Sequence, residues 1–140
     1  MGIALSEQAR TLIDGPNFAH LATIMPDGSP QSAPVWVMRE GDLILIATEG
    51  GSLKAKNTSR EARVSLSIVD FHDPYSQVQI RGRVVERRGD PKLEFLDLIS
   101  RKYVGKPWPF RDTKDPIVLA IEVLKARYSK EPFEHTPPAK

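Results

Sequence analysis

The chain has 140 residues, of which 40% are hydrophobic and 27% charged, so it has the length and composition of one ordinary globular domain. The absence of cysteine excludes disulfides, thiolate chemistry and cysteine-based zinc sites, and no apolar run approaches the ~20 residues of a membrane span. The N-terminal sequence MGIALSEQAR has no basic region followed by an apolar one, so we expect a cytoplasmic protein without a membrane partner.

The first part of the chain predicts one short helix followed by three strands. Ser6 can cap a helix that ends at Asp14, where Gly15 provides a stop. Apolar segments separated by turns rich in proline, glycine and aspartate predict strands over residues 18–24, 31–38 and 43–48. Because Pro34 cannot donate to a strand ladder, we expect an edge, a bulge or a ligand-facing opening there.

The residues after the third strand predict an anion site. A glycine-rich turn at residues 48–52 precedes a helix that begins near Ser52, and residues 52–63 carry a formal charge of +3. Glycines let the backbone approach a ligand closely, and the first turn of a helix directs free N–H groups outward. A solvated basic helix would have the same composition. The combination of strand, turn and cationic helix start nevertheless favours a phosphate site.

A second basic segment, residues 81–88, also carries +3, whereas the whole chain carries only +2. The positive charge is therefore concentrated in two places, which suits a compact anion better than a nucleic acid. The basic segments also lack the interleaved aromatic residues of a single-strand-binding surface. We expect a small-molecule partner and no nucleic acid.

The second part of the chain predicts two more strands, a helix and a final strand. The strands fall at residues 64–69 and 76–87. Asp90 and Pro91 have the residue types of an N-cap and a first helical position, and Gly105 marks the end of the helix. Its apolar stripe is formed by Leu93, Leu96, Ile99 and Tyr103. After an aromatic loop at residues 106–116, the last strand covers residues 117–124.

Six strands in mostly hairpin order with small helices predict a mainly β fold, an antiparallel β-barrel. Residues 1–129 form a single domain, and residues 130–140, with three prolines, form a flexible tail. A barrel of this size is filled by its own side chains. A large cofactor would therefore lie outside it, where a second subunit could complete the site.

The titratable residues do not predict a metal site or a hydrolase. His20, His72 and His135 are scattered, and no spacing typical of zinc ligands occurs. No Ser-His-Asp set or carboxylate pair is visible. The sequence identifies no catalytic residue, although His72 and Tyr75 are candidates for a proton donor.

Four segments together carry a family resemblance: FAHLATIMPDGSPQSAPVWV, ATEGGSLKAKNTSREARVSLSIVD, DPYSQVQIRGRVVE and DLISRKYVGKPWP. In this order and spacing the chain resembles the pyridoxamine-5′-phosphate-oxidase-like split-barrel proteins over about residues 5–125. The closest branch is that of the flavin/deazaflavin oxidoreductases of B type, which use coenzyme F420. The resemblance implies a six-stranded antiparallel split β-barrel and a homodimer with cofactor sites at the subunit interface.

The resemblance also implies which residues bind the cofactor. The deazaflavin ring would lie along the strand formed by Ser32, Ala33, Pro34, Val35 and Trp36. The phosphate end would meet Ala47, Thr48, Gly51, Ser52, Lys54 and Asn57. Lys54 and Asn57 are three residues apart, so both could reach one phosphate from one helix face. The second subunit would contribute Tyr75, Ser76 and Gln77, together with Trp108 and Phe110.

The resemblance implies hydride transfer between reduced F420 and a planar conjugated acceptor such as an enone, a quinone or a tetrapyrrole. FMN is the alternative cofactor, since both carry a ribityl phosphate. F420 adds a polyglutamate tail, for which Lys56, Arg60 and Arg81 are available. A non-catalytic carrier of a cofactor, a fatty acid or a tetrapyrrole is the alternative from a different functional class.

Overall fold

Seven antiparallel strands form one sheet in the order β2-β1-β5-β6-β7-β4-β3. The computed structural model describes residues 2–139, and its elements are α1 (Glu7–Asp14), β1 (Ala19–Ile24), β2 (Pro30–Val35), β3 (Met38–Glu40), β4 (Leu43–Glu49), α2 (Leu53–Arg60), β5 (Arg63–Val69), β6 (Ser76–Gly89), α3 (Glu94–Val104) and β7 (Pro116–Lys130). The prediction of a mainly β fold with small helices is therefore confirmed. Within residues 2–139, none of the helices combines the length and apolarity needed to cross a membrane.

The two edges of the sheet are joined by a short link, which requires the sheet to curl. β2 and β3 lie at opposite ends of the strand order, yet only Trp36 and Val37 separate them in the chain. Three residue steps can span at most ~11 Å, so the two edges must come close together. This closure makes the sheet a barrel, and the long β6–β7 pair lies between its two halves.

The strand predicted over residues 31–38 is two strands, so the sheet has seven strands where six were predicted. The chain leaves the ladder at Trp36 and Val37 to cross from one sheet edge to the other. Pro34 lies in an edge strand, as its missing N–H predicted. The last strand continues to Lys130, beyond the predicted end at residue 124, because its second half pairs with β6 although its exposed side is polar.

Alternating burial positions the core inside the barrel. In β5, Val64, Leu66 and Ile68 are buried, whereas the serines between them are exposed. Gly82 allows β6 and β7 to approach closely at a bulge, because a Cβ there would lie 2.4 Å from the backbone oxygen of Glu122. Any larger residue at this position would push the two central strands apart.

Helix α3 begins at Glu94, later than the predicted start at Pro91. The residues between form a turn, in which Leu93 has a positive φ of 59°. Asp90 still caps the helix, because its carboxylate accepts hydrogen bonds from the N–H groups of Phe95 and Leu96 at 3.1 and 3.0 Å. The predicted apolar stripe is the face that packs on the barrel.

Candidate functional site

A cavity of about 320 Å3 lies between the edge strand β2 and helices α2 and α3. Its wall is apolar and aromatic, and Lys54 is the one charged residue in its lining. The lining residues are Phe18, Pro34, Val35, Trp36, Ala47, Lys54, Leu96, Ile99 and Trp108. An apolar slot with a cation at one place fits a flat ring system that carries an anionic group.

A connected group of aromatic rings forms one wall of this cavity and supports it from behind. The rings of Trp36 and Tyr103 are stacked, with centroids 5.1 Å apart and an interplanar angle of 5°. Trp108 meets Trp36 edge-on at 6.2 Å, and Phe110 meets Trp108 at 5.2 Å. Phe18 lies 5.9 Å from Tyr103. These contacts fix the ring planes, because offset-stacked and edge-to-face pairs are the favoured geometries.

The loop that carries Trp108 is fastened to α3 through Asp97. The Asp97 carboxylate accepts hydrogen bonds from the Trp108 N–H at 3.0 Å and from the Arg111 guanidinium at 2.6 Å. The bond from Arg111 holds the pKa of Asp97 below its usual value. The Trp108 indole N–H donates to Thr113 Oγ1 at 2.9 Å, so both ends of this residue are held.

The cationic end of the cavity lies at the start of α2. Ser52 caps the helix by accepting a hydrogen bond from the Ala55 N–H at 3.2 Å, and Thr48 Oγ1 donates to Ser52 Oγ at 2.7 Å. The first amides of the helix have no partner within the helix itself. These free N–H groups carry a partial positive charge, and Lys54 adds a full positive charge beside them. Lys54 thus lies at the helix start where the sequence predicted an anion site, and the anion site itself stays a prediction.

The link between β2 and β3 is held by side chains of α3. Tyr103 Oη accepts from the Val37 N–H at 3.0 Å and donates to the Asn17 carbonyl at 2.7 Å. The Lys102 ammonium donates to the carbonyls of Ile13, at 2.6 Å, and of Val37. Burial raises the pKa of Tyr103 and lowers that of Lys102 to about 8, although the charge of Asp14 opposes the shift in Lys102.

The cavity gathers many of the residues predicted to bind a cofactor. Pro34, Val35, Trp36, Ala47, Lys54 and Trp108 line it, and Thr48 and Ser52 form its neighbouring turn with the exposed Gly51. The resemblance implied that Trp108 reaches the site from a second subunit, but it lines the cavity of its own chain. Ala33 is half-buried in β2, and Ser32 lines a different cavity on the outer face of the sheet.

Asn57 does not face the cavity. Its side chain is only 1% exposed and donates to Thr23 Oγ1 at 3.0 Å, underneath α2. Arg60 adds a bond to the carbonyl of Ile24. Asn57 and Arg60 thus dock the helix on β1. The spacing of Lys54 and Asn57 predicted a shared face, but burial of Asn57 directs it to the barrel while Lys54 reaches the cavity edge.

The predicted second-subunit residues also lie away from this cavity. Tyr75 precedes β6 and contacts the rings of Phe133, at 5.4 Å, and His135, at 6.4 Å, from the C-terminal segment. Ser76 Oγ lies 3.0 Å from Tyr128 Oη, and Gln77 pairs with Ser129 in the sheet. Within one chain these residues therefore do not complete the cavity.

Sequence reasoning missed several cavity residues. Phe18 was interpreted only as the start of a strand, although a large aromatic residue there is 42% exposed. Leu96 and Ile99 were recognised as an apolar stripe, but this stripe also forms one side of the cavity. A stripe on a short helix beside a Pro-containing edge strand is a signal that could have suggested both roles.

Two larger cavities, of about 490 and 670 Å3, lie on the outer face of the sheet and share Ala22, Ser65, Arg81 and Lys125. Both are open to solvent, and neither is lined by a phenylalanine, tyrosine or tryptophan ring that could stack on a planar cofactor. Within residues 2–139, no three histidine, aspartate or glutamate side chains could hold a metal ion together. The aromatic cavity is therefore the better candidate for a site that binds a planar cofactor.

Comparisons with known proteins show the family of the chain. The sequence model of the pyridoxamine 5′-phosphate oxidase family matches residues 5–130. The chain belongs to this family. Membership supports an oxidoreductase or flavin-binding role. No curated protein matches the chain in a sequence comparison.

Solved structures support the same fold. An F420 reductase is 25% identical with a TM-score of 0.80, and the match covers 88% of this chain and 98% of the reductase. A conserved hypothetical protein from Mycobacterium tuberculosis is 22% identical with a TM-score of 0.72, covering 99% of this chain and 95% of that protein. General Stress Protein 26 from Bacillus anthracis is 19% identical with a TM-score of 0.68, and the match covers 89% of this chain and 94% of that protein. The split-barrel fold is thus shared, and seven strands are its form in this chain.

Proposed function

We propose that this member of the family is an F420-dependent reductase that delivers a hydride to a planar conjugated acceptor. The observation that carries the proposal is the aromatic cavity with Lys54 at the start of α2. An F420 reductase with a TM-score of 0.80 supports the choice of cofactor. When bound, the deazaflavin supplies the hydride chemistry, and the protein supplies binding and orientation.

The residues of the cavity fit the two ends of such a cofactor. Pro34, Val35 and Trp36 provide an apolar edge for the ring, and Pro34 leaves the edge of β2 without one N–H. Lys54 and the first turn of α2, with Thr48 and Ser52, provide a cationic end for the phosphate. No other charged residue of the cavity lining would compete with this orientation.

The outer face of the sheet favours F420 over FMN. Arg81 pairs across the strands with Lys125, and Arg127 follows in the next row, with no acidic residue lining this cavity. Another cavity of about 330 Å3 shares Phe18 and Pro34 with the aromatic cavity and His20 with the outer cavity of about 490 Å3. We propose that the acidic tail of F420 extends from the aromatic cavity through this connecting cavity to the outer one. FMN has no counterpart of this tail.

A homodimer is part of the proposal. Tyr75, Ser76 and Gln77 do not line the aromatic cavity of their own chain, so they can contribute to it only from a second copy. Light scattering coupled to size-exclusion chromatography should give twice the 15.6 kDa mass of the chain. A monomeric mass at micromolar concentration would remove these three residues from the proposed site.

Isothermal titration with F420 and FMN tests the choice of cofactor. We expect F420 to bind more tightly than FMN, with one site per chain. Tight FMN binding without any binding of F420 would overturn the proposal in favour of a flavin enzyme.

The second candidate function is a non-catalytic carrier. It is favoured by one observation, which is that Lys54, assigned here to the cofactor phosphate, is the one titratable residue in the cavity lining, so no second side chain there could protonate a reduced substrate. The same apolar walls suit a conjugated acceptor, because stacking and burial would provide most of the affinity. Turnover therefore has to be measured separately from binding.

A further inference from the structure

The link between the two sheet edges has its main-chain groups bound by α3. Val37 is fully buried and lies outside every strand, so it has no ladder partner. An unpaired buried backbone group would be costly. Tyr103 binds the Val37 N–H, and Lys102 binds its carbonyl. Two consecutive residues of one helix therefore replace the missing strand neighbours.

The same tyrosine holds the indole of Trp36 from behind. Its ring is parallel to the indole within 5°, and its hydroxyl is anchored to the Asn17 carbonyl at 2.7 Å. Neither Tyr103 nor Lys102 lines the aromatic cavity, whereas Trp36 does. An effect of Tyr103 on a ligand in this cavity would thus be transmitted through Trp36.

We infer that Tyr103 is a positioning residue that sets the plane of Trp36 for stacking on the cofactor ring, while Lys102 fixes the backbone that carries Trp36. This inference rests on the proposed function, because it assigns a role within the same cofactor site. Lys102 also joins this link to the last turn of α1 through the Ile13 carbonyl, where a cation is favourable. Helix α1, helix α3 and the link between β2 and β3 are thereby fixed around the indole ring of Trp36.

A double-mutant cycle on cofactor affinity separates positioning from general stability. Tyr103→Leu removes the stack, and Trp36→Ala removes the ring on which it acts. An aromatic pair is worth roughly 3- to 10-fold in an equilibrium constant. We expect Tyr103→Leu to weaken F420 binding by about that factor in the wild type and to have no further effect in the Trp36→Ala background. Tyr103→Phe, which keeps the ring, should have a smaller effect.

Near-ultraviolet circular dichroism gives a second readout that needs no cofactor. The chain has two tryptophans, Trp36 and Trp108, and both belong to the aromatic group around the cavity. Tyr103→Leu should reduce the tryptophan bands, and Tyr103→Phe should largely retain them. Ile68→Val is the control, because Ile68 is fully buried elsewhere in the barrel and its truncation lowers stability without touching either tryptophan.

The outcomes distinguish this inference from the proposed function. Equal losses of affinity from Tyr103→Leu with and without Trp36 would overturn the positioning role, as would unchanged affinity and unchanged tryptophan bands. If the wild type binds neither F420 nor FMN, the proposed function fails and the role toward a cofactor fails with it. In that case, loss of the tryptophan bands in Tyr103→Leu would still support the orientation of Trp36 by Tyr103.

Discussion

The aromatic cavity and the outer face of the sheet are built in opposite ways. Around the cavity, distant segments are joined by partly buried hydrogen bonds, such as that from the Val37 N–H to Tyr103 Oη and that from the Lys102 ammonium to the Val37 carbonyl. On the outer face, Arg81, Lys125 and Arg127 project from regular strands, and none of them has a salt bridge among residues 2–139. The cavity is thus organised to orient one rigid group, whereas the outer face can only attract charge.

The largest expected effect separates the cation of the cavity from ordinary surface charge. Lys54→Ala should weaken cofactor binding by ~10- to 150-fold, because a charge-assisted phosphate contact is worth about 1.5–3 kcal/mol. Lys92→Ala is the matched control, since it removes the same charge from an exposed turn outside the cavity. Isothermal titration measures both. Equal losses would mean that only diffuse electrostatics acts on the cofactor.

A smaller effect is expected on the outer face, and only for one cofactor. The double variant Arg81→Ala/Lys125→Ala should weaken F420 binding by up to about 30-fold, because exposed charge pairs are worth at most ~1 kcal/mol each. FMN binding should be unchanged, since FMN has no acidic tail. A parallel fall for both cofactors would show that the outer face does not recognise the tail.

Loosening the wall of the cavity should have an effect of similar or smaller size. Asp97→Ala removes the acceptor for the Trp108 N–H and for Arg111. We expect cofactor affinity to fall by about 3- to 10-fold, in line with the loss of ~1 kcal/mol of hydrogen bonding. Arg111→Ala should reproduce part of this loss of affinity. Unchanged affinity, together with unchanged tryptophan fluorescence, would show that Trp108 does not depend on this anchor.

The smallest effect concerns the pH dependence of stability. The pKa of Lys102 is about 8 in the folded chain and 10.5 for a free lysine, so the unfolded chain binds more protons between these values. The cost of burying this charge is therefore present below pH 8 and relieved as the pH rises toward 10.5. In urea unfolding, the wild type should gain stability over this window relative to Lys102→Met. A wild type that loses stability relative to the variant would contradict this assignment.

The regular parts of the fold could be predicted because local patterns determine them. The alternation of apolar residues and serines in β5 fixes which side faces the core, and Pro34 marks an edge. The strand break at Trp36 and Val37 could not be predicted, because both residues are apolar and the break results from closure of the barrel. The extension of β7 to Lys130 was missed because its exposed side is polar.

The candidate site could be predicted only in part. The cationic start of α2 and the β2 edge were visible in the sequence, and the structure brings Lys54 and Trp36 into one cavity. The helical spacing of Lys54 and Asn57 says that they share a face but not which of them the barrel covers, and Asn57 is buried. The role of Tyr103 behind Trp36 depends on the packing of α3, a contact across distant segments that no local pattern encodes.

Single-turnover oxidation of reduced F420 tests the central claim most directly. The chain loaded with reduced F420 is mixed anaerobically with a conjugated acceptor, such as a quinone, an enone or biliverdin, and the absorbance of oxidised F420 is followed. We predict rapid oxidation by these acceptors and slower oxidation by small charged acceptors of matched potential. Tight binding of F420 without oxidation by any acceptor would contradict the assignment as a reductase and identify the chain as a carrier.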